Sequence, residues 1–567
     1  MRASPGVALW VVCAVTACGG GNLSHPLRPE PVPYADTLPA SEPRYRQSLE
    51  SSHLLDAAII DQFVNLFTFR RWMGPSQEAV NVTHFDDVVN SAWFEHRNGY
   101  YRLSPEDVAR GPATRAPDVS GVLTIVDVET RGPNPGFIVR DVRGERYVFK
   151  FDPLGFLHLA SAAEVISSRL LFAAGYNTAE DYIVVFDGAQ LVLDPGARIP
   201  GPQGGAQWMQ PMDLARFLSS LDRLSDGRFL AMARRMLPGV PKGPFHFEGR
   251  RSDDPNDYYY HEHRRELRGL AVLAAWINHV GIRFTDTQDV WTDGKFLRHY
   301  LIDFSETLGS RVVRPQEPRA GREHNFDLGP TLGRLFSLGF YRLPLDLDVR
   351  RFIHPSIGWL PTEAYDPGGW KPKWPNAAFS RTTLRDAYWG SKLVAAFTDQ
   401  QIRAAVAAGG LSDSTAADTL AKILIFRRDR TVAHWYSRVT PIENVGVVRR
   451  AEPAMKLVIN FDDLGIRDGV WDGAGTAYRW EFEHRAAGIA WSGESPATAE
   501  SVRQAIVLES PDGSGEKRDR RGHSSDEESI ATLTITALRG GAGGRPARIF
   551  LAWDAEGKTY RVAGLEH

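Results

Sequence analysis

The chain has almost no cysteine: two in 567 residues, Cys13 and Cys18. Beyond position 18 that excludes a disulfide and a thiolate metal site, so a protein of this size has to hold together by core burial alone. Long hydrophobic runs are missing as well. The apolar stretch from Val7 to Val15 is too short to span a bilayer, and no later stretch is long enough. Charge of one sign is not in excess. The 66 Lys and Arg against 69 Asp and Glu leave a net charge of −3, which gives no nucleic-acid footprint.

What is present begins with MRASPGVALWVVCAVTACGGG. One arginine, a short apolar run and then Val15-Thr16-Ala17-Cys18 read as a secretory signal ending in a lipobox-like site. Cys18 would become a diacylated, palmitate-bearing N-terminus; an ordinary cleaved signal is the plainer alternative. Gly19, rather than aspartate, follows the cysteine, which in a diderm bacterium points to the outer membrane. The expected location is the cell envelope, with acyl chains as an anchor rather than a span. Residues 19–53 open with a Gly- and Pro-rich stretch and read as a flexible tether.

Periodicity divides the rest. Residues 54–120 form an N-terminal extension that starts with helical spacing in LLDAAIIDQFVNLFTF and then becomes hard to assign. Residues 121–200 are strand-rich (GVLTIVDVE, GFIVRDV, RYVFKF, DYIVVF), with one helix over 160–174. Residues 201–443 are mainly helical. Two helical patterns are expected in 211–238, then a strongly apolar helix ending at His279, a hairpin through the turn TDGK, and helices at 384–407 and 413–437. Residues 444–567 change to short alternating runs and predict an all-β, sandwich-like domain. The overall expectation is an α+β chain with a bilobal core, a β-rich small lobe and a helical large lobe, followed by that β domain.

The chemistry concentrates in three places. A loop holding Gly132 and Gly136 joins two strands, where backbone N–H groups free of side chains can face phosphates. By itself such a stretch is an ordinary turn. Lys150 ends RYVFKF, and Glu164, fourteen residues on, is of the right type to hold it; Val185 on DYIVVF completes the pocket candidates. Alone, this Lys–Glu spacing reads as a surface pair. Further on, His279, Gly281 and Asp286 keep the spacing H-x-D-x-x-x-x-N of a kinase catalytic loop, and Asp303-Phe304-Ser305 stands where D-F-G would. Arg283 is placed to neutralise a phosphate. Order and spacing agree across all three.

Other clusters are weaker. Asp253 and Asp254 in RRSDDPND, near His261 and His263, can supply an acid–base pair, but read more simply as a solvated acidic loop. HEHRRE lacks the HExxH spacing of a zincin. Asp462, Asp463, Asp468 and Asp472 with their glycines suit calcium, yet fit no EF-hand loop, and turn chemistry explains them equally.

Through EAVNV, DDVVNSAWFEHR, GFIVRDVRGERYVFKFDP, AAEVISSRLLFAAGYN, AAWINHV, HYLIDFSETLGS and AYWGSKLVAAFTDQQIRAAV, the chain resembles a group of large predicted lipoproteins of bacteria such as myxobacteria. That group is distantly similar to HipA-like and phosphoinositide-kinase-like folds. The resemblance runs from Glu78 to about Ser437. It implies a protein-kinase-like core in which Lys150 is the nucleotide lysine, Glu164 its partner and Asp303 the metal-binding aspartate, with ATP or another nucleotide and Mg²⁺ as cofactors. Two positions depart. Gly281 stands where the catalytic Asp belongs, and Asp286 where the metal-binding Asn does. Glycine accepts no proton, and loss of a general base costs about 10²–10⁴ in rate; aspartate remains a good Mg²⁺ ligand.

Three functions follow. The first is a pseudokinase that binds nucleotide and metal and acts through an envelope protein or a small-molecule partner. The second is an active secreted phosphotransferase with a rearranged acid–base site. The third is an envelope binding protein that works through its C-terminal β domain.

Overall fold

The computed structural model describes residues 36–46, 77–129, 136–201, 205–325, 353–450, 456–499, 501–509, 530–554 and 559–567. Cys18 and the signal, the helical pattern of 54–70, Gly132 and the charged stretch 510–528 lie outside them.

Alternation and turn chemistry build the first sheet. Strands β1 (Leu123–Glu129), β2 (Gly136–Arg140), β3 (Arg146–Lys150), β4 (Asp181–Phe186), β5 (Leu191–Leu193) and β8 (Phe229–Arg235) run in the order β4-β8-β3-β2-β1-β5; the short β6 (Arg198–Pro200) and β7 (Ala206–Trp208) pair with each other. Gly144, at φ 83°, makes the tight turn from β2 to β3. The sheet has its own core, centred on Phe137, Phe149, Phe151, Phe186 and Phe229.

Strand β8 departs from the expected pair of helices over 211–238. One helix forms, Pro211–Ser219, and the second pattern is this strand. Phe229 to Ala233 are all buried. A strand covered on both faces shows a continuous apolar run instead of alternation, and periodicity alone does not tell it from a buried helix.

The helix Leu159–Ala174 packs beside the sheet and ends at Gly175, where a Cβ would run into the Phe94 ring. The larger core is helical. Arg265–Ile277, Leu384–Ala395, Asp399–Ala408 and Ser414–Tyr436 gather around Trp276, Trp389, Leu424 and Tyr436. Thr383 with Asp386 and Thr398 with Gln401 close capping boxes that start two of these helices. Strands β9 (Val240–Pro241), β10 (Thr287–Thr292) and β11 (Phe296–Leu301) form a three-stranded sheet in the order β11-β10-β9.

The described part of the 54–120 segment joins this helical core through Trp93, Phe94 and Val108. Residues 36–46, read as tether, are held in place: the Ala40 N–H donates to Lys295 O at 2.8 Å and the Arg46 N–H to Lys242 O at 2.9 Å. The Pro-rich composition signals a segment without regular structure of its own, and such a segment can still be pinned by its backbone.

From Ile442 onward, strands Ile442–Arg450, Lys456–Asp463 and Arg503–Glu509 form one sheet, and a second runs through Thr476–His484, Ile489–Pro496, Ile530–Arg539, Ala547–Asp554 and Thr559–Glu566. Thr476–His484 alternates buried and open positions along its length, the period of a strand with one wet face. Both sheets contribute to a single core that includes Phe461, Trp480 and Leu533. This region is tied back by charge. Asp86 accepts from Arg265 at 2.9 Å and Arg385 at 2.8 Å and contacts His567 Nδ1 at 3.0 Å, while Lys392 pairs with Glu443 at 2.6 Å.

Candidate functional site

The β10–β11 hairpin delivers two acids to one place. Thr287 pairs with Leu301, and the Ile302 N–H donates to Asp286 O at 2.8 Å, so the ladder runs one step further. Asp286, just before β10, and Asp303, just after β11, therefore leave the hairpin at the same end. Asp303 adopts φ 64°, a left-handed backbone that aspartate tolerates better than most residues. Its Oδ1 accepts from the Ser305 N–H at 3.3 Å and from the Ser305 hydroxyl. Its Oδ2 faces Lys150 Nζ at 3.4 Å.

Lys150 arrives from the other sheet. It closes β3, opposite Gly136 on β2 and Met232 on β8. A lysine and an acid 153 positions apart thus meet across two sheets. Gly136 has a steric reason to be glycine there: a Cβ would overlap the Phe149 carbonyl oxygen on the neighbouring strand.

Glu164 is not the direct partner of Lys150. It pairs with Arg234, which also holds Asp181 at 2.8 Å. Arg234 lies opposite Val148 and Met232 opposite Lys150, so Arg234 and Lys150 project from the same face of the sheet. The arginine reaches the helix acid first. Sequence reasoning missed it because the DGRFLAMARRM segment reads as helix; the available signal was an arginine ending a run of five apolar residues. Val185 lies on β4 opposite Leu230, half-buried, in the same sheet.

The electrostatics follow from burial and neighbours. Burial works against the Lys150 ammonium, but Asp303 outweighs it and its pKa lies above the ordinary lysine value. Burial also opposes ionisation of Asp303, yet Lys150, Arg234 and Ser305 hold that carboxyl well below the usual range. Burial pushes the Glu164 carboxyl up to about 7 against the pull of Arg234. Its Oε2 is buried without a hydrogen-bond partner. Asp286 is raised well above the carboxylate range, first by burial and then by Asp303 and Glu306, with Arg283 opposing.

Asp286 and Asp303 put two carboxyl groups at the same end of one hairpin. Among the described residues no group of three or more His, Cys, Asp and Glu forms a metal cage. Mg²⁺ is usually held by one or two carboxylates together with substrate phosphates, and Asp303 with Asp286 fits that arrangement.

The loop between helix and hairpin carries the departure. A Cβ on Gly281 would lie 2.7 Å from Glu306 Cβ and overlap Glu306 Oε2. The Glu306 side chain fills the space that an aspartate at 281 would need. Lys373 Nζ donates to Glu306 Oε1 at 2.6 Å. Arg283 leans on Asp286, with Nε 3.7 Å from Oδ1. Burial lowers His279 to about 4, so its ring is neutral near pH 7. The edge-on contact with Phe304 at 5.7 Å and the backbone bonds of this turn give His279 a structural place.

The remaining candidates resolve into local roles. Of the two acids read as a solvated loop, Asp253 is exposed and Asp254 is not. Asp253 accepts from Arg251 at 2.9 Å, Asp254 is buried, and Asp257 pairs with His261 at 2.7 Å. The four acids near 462–472 take separate partners: Asp462 pairs with Arg503 at 2.9 Å, Asp463 accepts from the Tyr478 hydroxyl at 2.8 Å, Asp468 holds Arg467, and Asp472 accepts from the Gly475 N–H. A cavity of about 270 Å³ lined by Glu180, Arg235, Arg298 and Tyr300 contains neither Lys150 nor Asp303.

No protein-family model and no curated protein matches the chain. Among solved structures, it is similar to the "crystal structure of the Golgi casein kinase with Mn/ADP bound", at 12% identity and a TM-score of 0.25, over 58% of this chain and 73% of that one. A second structure, "Crystal structure of the golgi casein kinase", matches at 10% identity and a TM-score of 0.25, over 69% of this chain and 89% of that one. At that TM-score the similarity to a kinase structure is weak.

Proposed function

We propose that residues 121–443 form a bilobal, protein-kinase-like core that binds a nucleotide together with a divalent cation where the two sheets meet. One observation carries this reading: Lys150 Nζ lies 3.4 Å from Asp303 Oδ2, the lysine ending β3 and the acid two residues after β11. Lys150 would take the nucleotide phosphates, and Asp303 and Asp286 the cation. A bound cation would supply positive charge that draws electrons from phosphate oxygens. The protein's own part is positional. Asp303 is fixed by Ser305, Lys150 by the sheet, and Arg234 pairs with the buried Glu164 and Asp181 beside them.

Gly281 gives the loop no proton acceptor of its own, which is the mark of a pseudokinase. A second reading, an active phosphotransferase with a rearranged acid–base site, is favoured by the Glu306 carboxylate that fills the space over Gly281. The weak kinase likeness, the lipobox reading of Cys18 and the outer-membrane location complete the picture as parts of the same proposal: a lipid-anchored envelope protein. The C-terminal sheets are tied to the core by Asp86 and Glu443, which suits a supporting role for them.

The test is thermal stability of the purified full chain with ADP and Mg²⁺ or Mn²⁺. Ligand at 100 times its Kd stabilises by about 2.7 kcal/mol, a shift of several degrees that requires both components. Unchanged melting with millimolar ADP and either cation would refute the proposal.

A further inference from the structure

We infer that Glu306 is the proton acceptor of this site, supplied by the segment after Asp303 instead of by position 281. The inference rests on the nucleotide-binding reading above.

The argument begins with space. In the H-x-D loop spacing, the third residue directs a carboxylate into the cleft. Here that residue has no side chain, and the volume its Cβ would take is occupied by another acid, with Glu306 Cβ and Cδ 2.7 and 2.9 Å from the Cβ position. The loss at 281 and the presence of Glu306 are one steric fact. Any side chain at 281 would displace Glu306.

The backbone makes this placement deliberate. The Val280 N–H donates to Glu306 O at 3.2 Å, the Lys373 N–H donates to Val280 O at 2.8 Å, and Gln316 Nε2 donates to Glu306 O at 3.3 Å. Glu306 is thereby stitched to the loop whose function it takes over. Its two oxygens are used differently. Oε1 is held by Lys373 Nζ at 2.6 Å, and Oε2 is directed toward Gly281. The ion pair is only slightly exposed, 13% for Lys373 and 17% for Glu306, so the lysine fixes the carboxylate's rotamer. Glu306 follows Asp303 by three residues, and its carboxylate lies over Gly281, five residues before Asp286.

The chemical step balances without further reagents. An acceptor hydroxyl oxygen bonds to the γ-phosphorus of the nucleotide, and the bond from that phosphorus to the β–γ bridging oxygen breaks. The hydroxyl proton passes to Glu306 Oε2, and the nucleoside diphosphate leaves with the bridging oxygen. Water in place of the hydroxyl gives inorganic phosphate. Phosphoryl transfer depends mainly on positioning and electrostatics, so a carboxylate that arrives from a different backbone segment serves as well as one at 281.

The experiment uses the full chain with radiolabelled ATP and Mn²⁺, measuring phosphate release and self-phosphorylation, with ADP affinity measured in parallel. The wild type should turn over, and Glu306→Gln should lose about 10²–10⁴ of the rate, the usual worth of general-base catalysis, with ADP affinity within threefold. Glu306→Asp, which draws the oxygen back by one methylene, should lose at least tenfold and also keep ADP binding. The double variant Gly281→Asp with Glu306→Ala returns an acid to the loop and vacates the space for it; it should recover to within tenfold of the wild type, whereas Gly281→Asp alone should not gain. Retention of wild-type turnover by Glu306→Gln overturns the inference. So does a wild type that binds ADP and transfers nothing, and that result leaves the binding proposal standing. Absence of ADP binding overturns both.

Discussion

Replacing Arg234 by methionine tests the charge balance on which the site is built. The guanidinium is the shared partner of two buried acids, Glu164 and Asp181, whose side chains are 1% and 0% exposed. Removing one partner of a buried ion pair costs about 3–5 kcal/mol, because a charge is left in low dielectric. Lys150 senses Glu164 electrostatically and can swing toward it to offset part of the loss, so a figure of about 4 kcal/mol is expected. The shift is about 2–4 °C per kcal/mol for a unit of 150–250 residues and smaller for a larger one, so melting should fall by at most roughly 8–16 °C in calorimetry at pH 7.5. The pH dependence gives a sharper check. Glu164 already stands at about 7 with Arg234 present, and without that cation its folded-state pKa rises further above the unfolded value near 4. Between those limits the folded state holds protons that the unfolded state has released. Stability of the variant then falls as pH rises and recovers on acidification. The deficit against wild type should narrow between pH 8 and pH 5. A loss under 1 kcal/mol, or a deficit that widens on acidification, would refute the assignment of Arg234 as the ion that balances the site.

Three further substitutions probe other parts of the molecule. Lys150→Met should weaken ADP binding by about 10–100-fold, the worth of a charged hydrogen bond at about 1.5–3 kcal/mol, and titration calorimetry showing unchanged affinity would remove Lys150 from the pocket. Gly136→Ala drives a methyl into the Phe149 carbonyl and should destabilise by about 1–3 kcal/mol through strand separation; an unaltered melting curve would show that strands β2 and β3 can move apart freely. Asp86→Asn leaves Arg265 and Arg385 without their anion and should cost about 3–5 kcal/mol. Arg265, His567 and Arg385 hold the Asp86 pKa well below the ordinary value despite burial, so its contribution is present above the unfolded pKa near 4 and fades below it; the gap between Asp86→Asn and wild type should shrink as pH drops under 4, as followed by melting temperature.

Much of the site was legible in sequence because each key residue ends an element. Lys150 closes an alternating strand and Asp303 follows one, and strand ends are where side chains can leave a sheet for a cleft. The hairpin around TDGK was readable from its turn. The helices from 384 to 436 were readable from their caps, although a break at 396–398 divides the first pattern in two. What stayed hidden shares one cause: a partner supplied from far along the chain. Glu164 has the right type to pair with Lys150, and nothing local shows that Arg234 on a strand disguised as a helix takes it first. Asp254 and Asp257 sit in a hydrophilic run, yet both are buried, and Asp257 accepts from the Arg251 N–H and pairs with His261.

Gly281 and Glu306 share one volume and have to be read together. Scored singly, a glycine in the base position is a loss, and Glu306 three residues after Asp303 is an unremarked loop acid. The segment from Asp303 turns back so that the Leu308 N–H donates to Ile277 O at 2.9 Å and Glu306 O accepts from Val280, placing the two positions side by side. Because the Cβ of one and the carboxylate of the other compete for a single volume, each substitution is intelligible only with its partner. If that coupling is real, the effects of changing 281 and 306 must be non-additive, since residues that share a volume do not contribute independently. A double-mutant cycle on melting temperature, in which Gly281→Ala is harmful with Glu306 present and near neutral with Glu306→Ala, measures the coupling without any ligand. Strict additivity would mean that the space over Gly281 is not the space Glu306 fills.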